Sequence, residues 1–262
     1  HKNKRYLVAH RPTVLSIKWG TVFSALDVNL LYRACRANTS SKLRFVCLTD
    51  DGRGLDPDIE IRNIPDIGQT PEDWKRPGVW RKLSLYAPEL HNLGRVLFID
   101  LDMVIFGSLD PFFEVQHGVF FLNTGDSWRK NPVSNHTEGG TAIFSFDPST
   151  ECSVLQAFQT DPAAHMDNFH NEQDFVFAHV TCTNFWPEGQ VISFKRHLCR
   201  RYGIGLAQPI QPVPAGTSVI AFHGDPRPRD VKDNFFWGRF PHIHAGTPVE
   251  LKTYWKKYSA EG

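Results

Sequence analysis

Apolar residues fall in two rhythms along the chain. Val14-Leu15-Ser16-Ile17, Leu43 to Leu48, Ile59-Glu60-Ile61 and Arg95-Val96-Leu97-Phe98-Ile99 are short runs bounded by polar or turn residues, as strands are. Between them, Val22, Phe23, Leu26, Leu30 and Ala34 recur at helical spacing until Asn38-Thr39-Ser40-Ser41 stops the helix. Trp80 to Ala87 reads as a further helix, closed by Pro88. Strands separated by helices in this order predict an α/β fold with a mainly parallel, Rossmann-like central sheet flanked by helices. The run at 95–99 is apolar at consecutive positions, which predicts a strand covered on both faces.

The second half is less regular. Ala142 to Phe146, Val191 to Phe194 and Val219 to Phe222 read as strands, Val154 to Phe158 and Gln173 to Val180 as helices. Gln208 to Gly216 is proline-rich and extended, and Leu251 to Tyr258 is an amphipathic helix. No repeat or linker divides the chain, so residues 1–262 are read as a single domain.

The central run ends in Asp100-Leu101-Asp102 and resumes at Met103. Two carboxylates close together at the end of a buried strand are costly without a counter-charge. Residues i and i+2 of a strand point to the same side, so the pair could grip one ion. A hard divalent cation that also holds phosphate oxygens suits them. Ligands of such sheets sit beyond the carboxyl ends of the strands. Lys18-Trp19-Gly20-Thr21 falls at another such end, so one crevice is expected to hold both.

Composition narrows the partners. The net charge is +1, which gives no overall electrostatic case for a nucleic-acid or polybasic membrane partner. The basic residues are dispersed except for Lys195-Arg196-His197 with Arg200-Arg201, read as a solvated loop in preference to an anionic-acceptor contact. Five cysteines without a CxxC pair argue for a reducing compartment and against a zinc site. No apolar stretch is long enough to span a membrane. The expectation is a cytoplasmic protein, compatible with peripheral membrane attachment; a start at His1 leaves open a preceding targeting segment. Asn38-Thr39-Ser40 and Asn135-His136-Thr137 match the N-glycosylation pattern and are read as chance.

Leu97 to Asp102, with Gly107-Ser108-Leu109-Asp110-Pro111-Phe112-Phe113 after it, resembles the D-x-D segment of the GT-A-fold glycosyltransferases of family 8, the group of glycogenin and bacterial lipopolysaccharide galactosyl- and glucosyltransferases. Further matches follow in the family's order. Trp80-Arg81-Lys82-Leu83 is similar to the helix before the D-x-D, Gly139 to Ser149 to its N-[SG]-G strand, and Glu172-Gln173-Asp174 to its D-Q-D stretch. His223-Gly224-Asp225-Pro226-Arg227-Pro228 resembles its C-terminal H-x-x-G-x-x-K-P-W, with shorter spacing, arginine for lysine and no tryptophan.

The resemblance implies a nucleotide-binding half at 1–113 and an acceptor-binding half at 114–262. It implies Asp100, Asp102 and His223 as ligands of Mn2+ or Mg2+, and Lys18, Trp19, Gly20, Lys82, Leu101, Gly224 and Arg227 as contacts of a UDP-sugar. Gln173 and Asp174 would stand at the sugar's reactive face, in a hexosyl transfer that retains configuration. The acceptor, a carbohydrate, glycolipid or protein, would be chosen by loops such as Asp126 to Glu138. Two other classes compete. A sugar-nucleotide nucleotidyltransferase usually carries a glycine-rich phosphate loop, where Lys18 to Thr21 offers one glycine. A non-catalytic sugar-nucleotide or carbohydrate-binding module would have little reason to keep both acids, His223 and Gln173-Asp174.

Overall fold

In the computed structural model, residues 11–129 and 138–259 are described; the Asn135 glycosylation pattern and most of the expected acceptor loop lie outside them. The strands β1 (Thr13–Lys18), β2 (Arg44–Thr49), β3 (Glu60–Arg62) and β4 (Val96–Ile99) form the parallel part of a seven-stranded sheet. The chain then leaves through β5 (Met103–Ile105) for a smaller sheet. It returns through β6 (Val119–Asn123), β7 (Gly139–Phe146) and β8 (Thr183–Phe185), giving the order β3-β2-β1-β4-β7-β6-β8. Only β7 runs against its neighbours, so the sheet is mostly parallel, as the alternation predicts.

In the smaller sheet, β10 (Val219–Ala221) lies between β5 and β9 (Val191–Ser193), antiparallel to the first and parallel to the second. A hairpin, β11 (Phe236–Trp237) with β12 (His244–Ala245), completes the strands. Both larger sheets draw strands from residues before and after 113.

The alternation of β1 and β4 shows how the core is divided. Val14, Leu97 and Ile99 face one apolar cluster, together with α1 (Ala25–Ala37) and the smaller sheet. Leu15, Val96 and Phe98 face the other, with Trp80, Leu83 and Phe158. The central strand is therefore covered on both sides.

Short helices α2 (Pro71–Lys75) and α3 (Asp110–Phe113) edge the first half. Helices α4 (Cys152–Thr160), α5 (Pro162–Asn168) and α6 (Glu172–His179) follow β7, and α7 (Pro228–Asp233) and α8 (Val249–Tyr258) flank the final hairpin.

Two expected helices differ from the sequence reading. Helix α1 begins after Ser24, not at Val22: the Asp27 carboxylate accepts from the Ser24 N–H at 2.7 Å and its hydroxyl at 2.8 Å, forming the cap. Val22 and Leu26 are exposed, and Val28, Leu31, Tyr32, Ala34 and Cys35 make the buried face. Trp80–Tyr86 is a 3-10 helix instead of an α-helix. It is entered through Val79 at φ 58° and ends at Ala87, which is extended ahead of Pro88.

Candidate active site

At the carboxyl end of β4 the chain steps from one sheet to the other. The Asp100 N–H donates to the Ala142 carbonyl of β7 at 2.9 Å, Leu101 and Asp102 form a turn, and the Asp102 carbonyl accepts from the Phe222 N–H at 3.1 Å, just after β10. The acids are thus not same-side positions of one continuous strand. A turn presents them, because β5 pairs with β10 instead of prolonging β4.

The turn opens on a cleft of about 420 Å3. Of the residues singled out in the sequence, Trp19, Lys82, Asp100, Leu101, Asp102, Gln173, His223 and Gly224 line it. Lys18, Gly20, Asp174 and Arg227 are not among its lining residues. The Lys18 ammonium is buried and reaches the Asp51 carbonyl at 3.4 Å, while Gly20, at φ +60°, donates its N–H to the Asp50 carboxylate at 3.1 Å. Asp174 sits in the first turn of α6, its N–H capped by the Asn171 side chain at 2.8 Å. Burial and neighbouring Glu138 raise the pKa of Asp174. Arg227 caps α7 and lines an adjoining cleft that also includes Leu101 and Met103.

Lys82 is the hub of the site. Its ammonium donates to the Asp100 carboxylate at 3.1 Å and to the Thr141 carbonyl at 2.8 Å, and lies 4.7 Å from the centre of the Phe98 ring. Burial works against this charge, but Asp100, Glu172 and Asp102 outweigh it and hold the lysine pKa above its ordinary value. Burial raises Asp100 in turn, against the pull of Lys82. Burial and the neighbouring Asp100 push Asp102 up to about 7 against Lys82 and, more weakly, Arg227. Three acidic side chains, Asp100, Asp102 and Glu172, therefore share one lysine.

Glu172 is the residue that sequence reasoning assigned only to a motif. It is buried on α6; one carboxylate oxygen accepts from the Thr141 hydroxyl at 3.2 Å and the other has no hydrogen-bond partner among the described residues. Burial pushes its pKa up to about 7, despite Lys82. Its neighbour Gln173 accepts the Thr141 N–H on its amide oxygen at 3.1 Å, which leaves the amide N–H2 to donate. Thr141 thus organises Lys82, Glu172 and Gln173 together. Its place in the Gly139-Gly140-Thr141 segment was the available signal.

His223 lines the cleft with its Nε2 engaged by a hydroxyl. Its Nε2 is 2.5 Å from the Ser193 hydroxyl, and its ring lies 5.5 Å from that of Trp128. Burial, with Lys195, Arg196 and His197 nearby, lowers its pKa to about 4, so it is neutral at ordinary pH. Trp128, which also meets His197 at 5.6 Å, carries no motif that could have announced this position.

Charge and donor type suit a hard divalent cation. Asp100 and Asp102 offer carboxylate oxygens, the acids outnumber the lysine, and a buried Glu172 oxygen lacks a partner. Among the described residues, however, no three His, Cys, Asp or Glu side chains are gathered to hold one. A cation here would rest on the acid pair and take its other ligands from the substrate.

No protein-family model and no curated protein sequence matches the chain. Solved structures do. The galactosyltransferase LgtC, in complex with donor and acceptor sugar analogues, superposes over 95% of this chain and 97% of its own with a TM-score of 0.61 at 11% identity. The bifunctional glycosyltransferase WbbM matches over 97% of this chain and 53% of its own, with a TM-score of 0.57 at 11% identity. GlyE of Streptococcus pneumoniae TIGR4 matches over 96% and 61%, with a TM-score of 0.54 at 13% identity. The likeness is one of backbone, and by it the chain has the GT-A glycosyltransferase fold.

Proposed function

We propose that this chain is a glycosyltransferase of the family 8 type. It moves a hexose, glucose or galactose, from a UDP-sugar to a carbohydrate, glycolipid or protein acceptor, with retention of configuration and dependence on Mn2+ or Mg2+. The observation that carries the reading is the convergence of Asp100, Asp102, Lys82, Glu172 and Gln173 on one cleft beyond the carboxyl ends of the parallel strands. The shared fold supports the donor class. LgtC is known with donor and acceptor sugar analogues, and another LgtC structure carries an active-site glutamine-to-glutamate mutation.

In this reading Trp19 offers a ring to the base, and the backbone around Gly224, at φ +74°, approaches the diphosphate closely. Lys82 fixes the Asp100 carboxylate, and with it the orientation of the acid pair. A divalent cation held by Asp100 and Asp102 would neutralise the charge that develops on the departing diphosphate. Gln173, fastened by Thr141, directs its amide donors to the sugar, and Glu172 accepts from a hydroxyl. Asp174 does not line the cleft, which favours a route in which the donor's own phosphate takes the acceptor proton over one through a glycosyl-Asp174 intermediate.

The test is hexose release from UDP-glucose and UDP-galactose with and without Mn2+. Release is expected only with metal, and Asp102→Asn should lower it by about 100-fold or more while the fold survives. Undiminished release in that variant, or in chelator, would sink the reading.

A further inference from the structure

The cluster of cations set aside as a solvated loop does not stand alone. From Gly189 to Gly224 the chain has no Asp or Glu, but has Lys195, Arg196, Arg200 and Arg201. The β11–β12 hairpin, which adds Arg239, packs directly on this stretch. The Tyr202 N–H donates to the Pro241 carbonyl at 2.7 Å, the Arg200 N–H to His244 Nε2 at 2.9 Å, and the Tyr202 and Phe240 rings lie 6.2 Å apart. Trp237 turns inward and stacks on His244 at 4.6 Å, so the alternation of the strand sends Phe236 outward. Phe240 is 77% exposed and Tyr202 67%, with Ile204 and Leu206 at 48% each in the stretch that follows Tyr202, while Phe235 and Phe236, ring against ring, are 69% and 63% exposed at the start of the hairpin. Tyr202, Phe240, Ile204 and Leu206 together are more apolar side chain in solvent than a folded protein usually carries at one place.

We propose that this face, the 195–206 segment with the β11–β12 hairpin, docks on the headgroup region of an anionic phospholipid membrane. The charge is complementary: Lys195, Arg196, Arg200 and Arg201 carry no acidic neighbour in their own stretch, and Arg239 offsets the nearby Asp225 carboxylate at 3.2 Å. Aromatic side chains between cations suit the interface between headgroups and acyl chains. Exposed Ile204 and Leu206 favour a membrane over single-stranded RNA, since aliphatic chains enter acyl chains but do not stack on bases. The face adjoins the cleft, because a side chain at Gly224 would approach the Lys195 ammonium to 3.8 Å. Resting on the transferase reading, this brings the cleft beside the headgroups, where an acceptor held in the membrane is within reach.

The experiment is co-sedimentation of the intact chain with phosphatidylcholine vesicles, with and without phosphatidylglycerol, at low and high salt. Binding is expected to need the anionic lipid and to weaken with salt. Arg201→Gln should weaken it about fivefold, by the loss of one surface cation. The double variant Tyr202→Ser/Phe240→Ser should weaken it by about tenfold or more through lost apolar burial. Both variants should keep the parental thermal midpoint and metal-dependent hexose release, so failure of vesicle binding is separable from failure of the transferase reading. The proposal is overturned if vesicles are not bound, if either variant binds undiminished, if RNA binds in their place, or if the Phe240 change instead abolishes self-association.

Discussion

Glu172→Gln exchanges a buried, half-satisfied carboxyl for a neutral group of the same shape. An ordinary glutamate titrates near about 4.3, whereas burial holds this one at about 7. Below the lower value both folded and unfolded chains are protonated and nothing is lost. As pH rises, the unfolded chain gives up its proton first, so folding stability falls until the folded carboxyl also ionises, near pH 7. At about 1.4 kcal/mol for each tenfold difference in proton affinity, the full penalty is on the order of 4 kcal/mol, and roughly 3 kcal/mol of it develops between pH 5 and pH 8. The glutamine variant is free of this term. Asp102, also raised to about 7, titrates in both proteins, and because it shares Lys82 with Glu172 the difference between them is the response of the whole cluster. Thermal unfolding in chelator at the two pH values should show the variant gaining about 6–12 °C on the parent at the higher pH. The same variant should transfer sugar more slowly, the trade of activity for stability expected of a strained site. If parent and variant lose stability in parallel between pH 5 and pH 8, Glu172 does not carry the buried charge and the electrostatic account of the cleft fails.

Lys82→Met removes the one cation that the acids share. At pH 8 it should cost about 3–5 kcal/mol in urea unfolding, as breaking a buried pair from one side does. The loss should shrink at pH 5, where carboxyls can protonate. Phe144, fully buried between Phe98 at 5.3 Å and Phe146 at 4.8 Å, tests the scaffold alone. Phe144→Ala should lower stability by about 3–5 kcal/mol, read from the urea midpoint, without changing the ratio of metal-dependent to metal-free hexose release.

Elements fixed by local pattern were legible in the sequence. The apolar run before Asp100 is the two-faced strand β4, and the acids at its end do open on the cleft. The start of α1 was also written locally, in Ser24 and Asp27, but the apolar Val22 and Leu26 masked the cap. Strand β6 has an equally apolar run, yet it is paired to β7 with a shifted register between Phe120 and Leu122, which no local pattern states. In the site, Lys82 and Gln173 followed from motif order, whereas the bond between Ser193 and His223 joins residues thirty positions apart through two strands of the smaller sheet. Such pairings depend on tertiary register and leave no mark on residue type.

Asp100 and Asp102 are neighbours in sequence that answer to different structures. The backbone of the first is fastened to β7 of the large sheet, and that of the second to the chain just beyond β10 of the small one. The distance between their carboxyls is therefore set by the seam where the two sheets meet over one shared apolar cluster. Any ligand gripped by both acids acts as a rivet across that seam, and tightening it couples the two sheets. Conversely, a substitution deep in the small sheet, at Ile192 or Ile220, can retune the acid pair without touching the cleft.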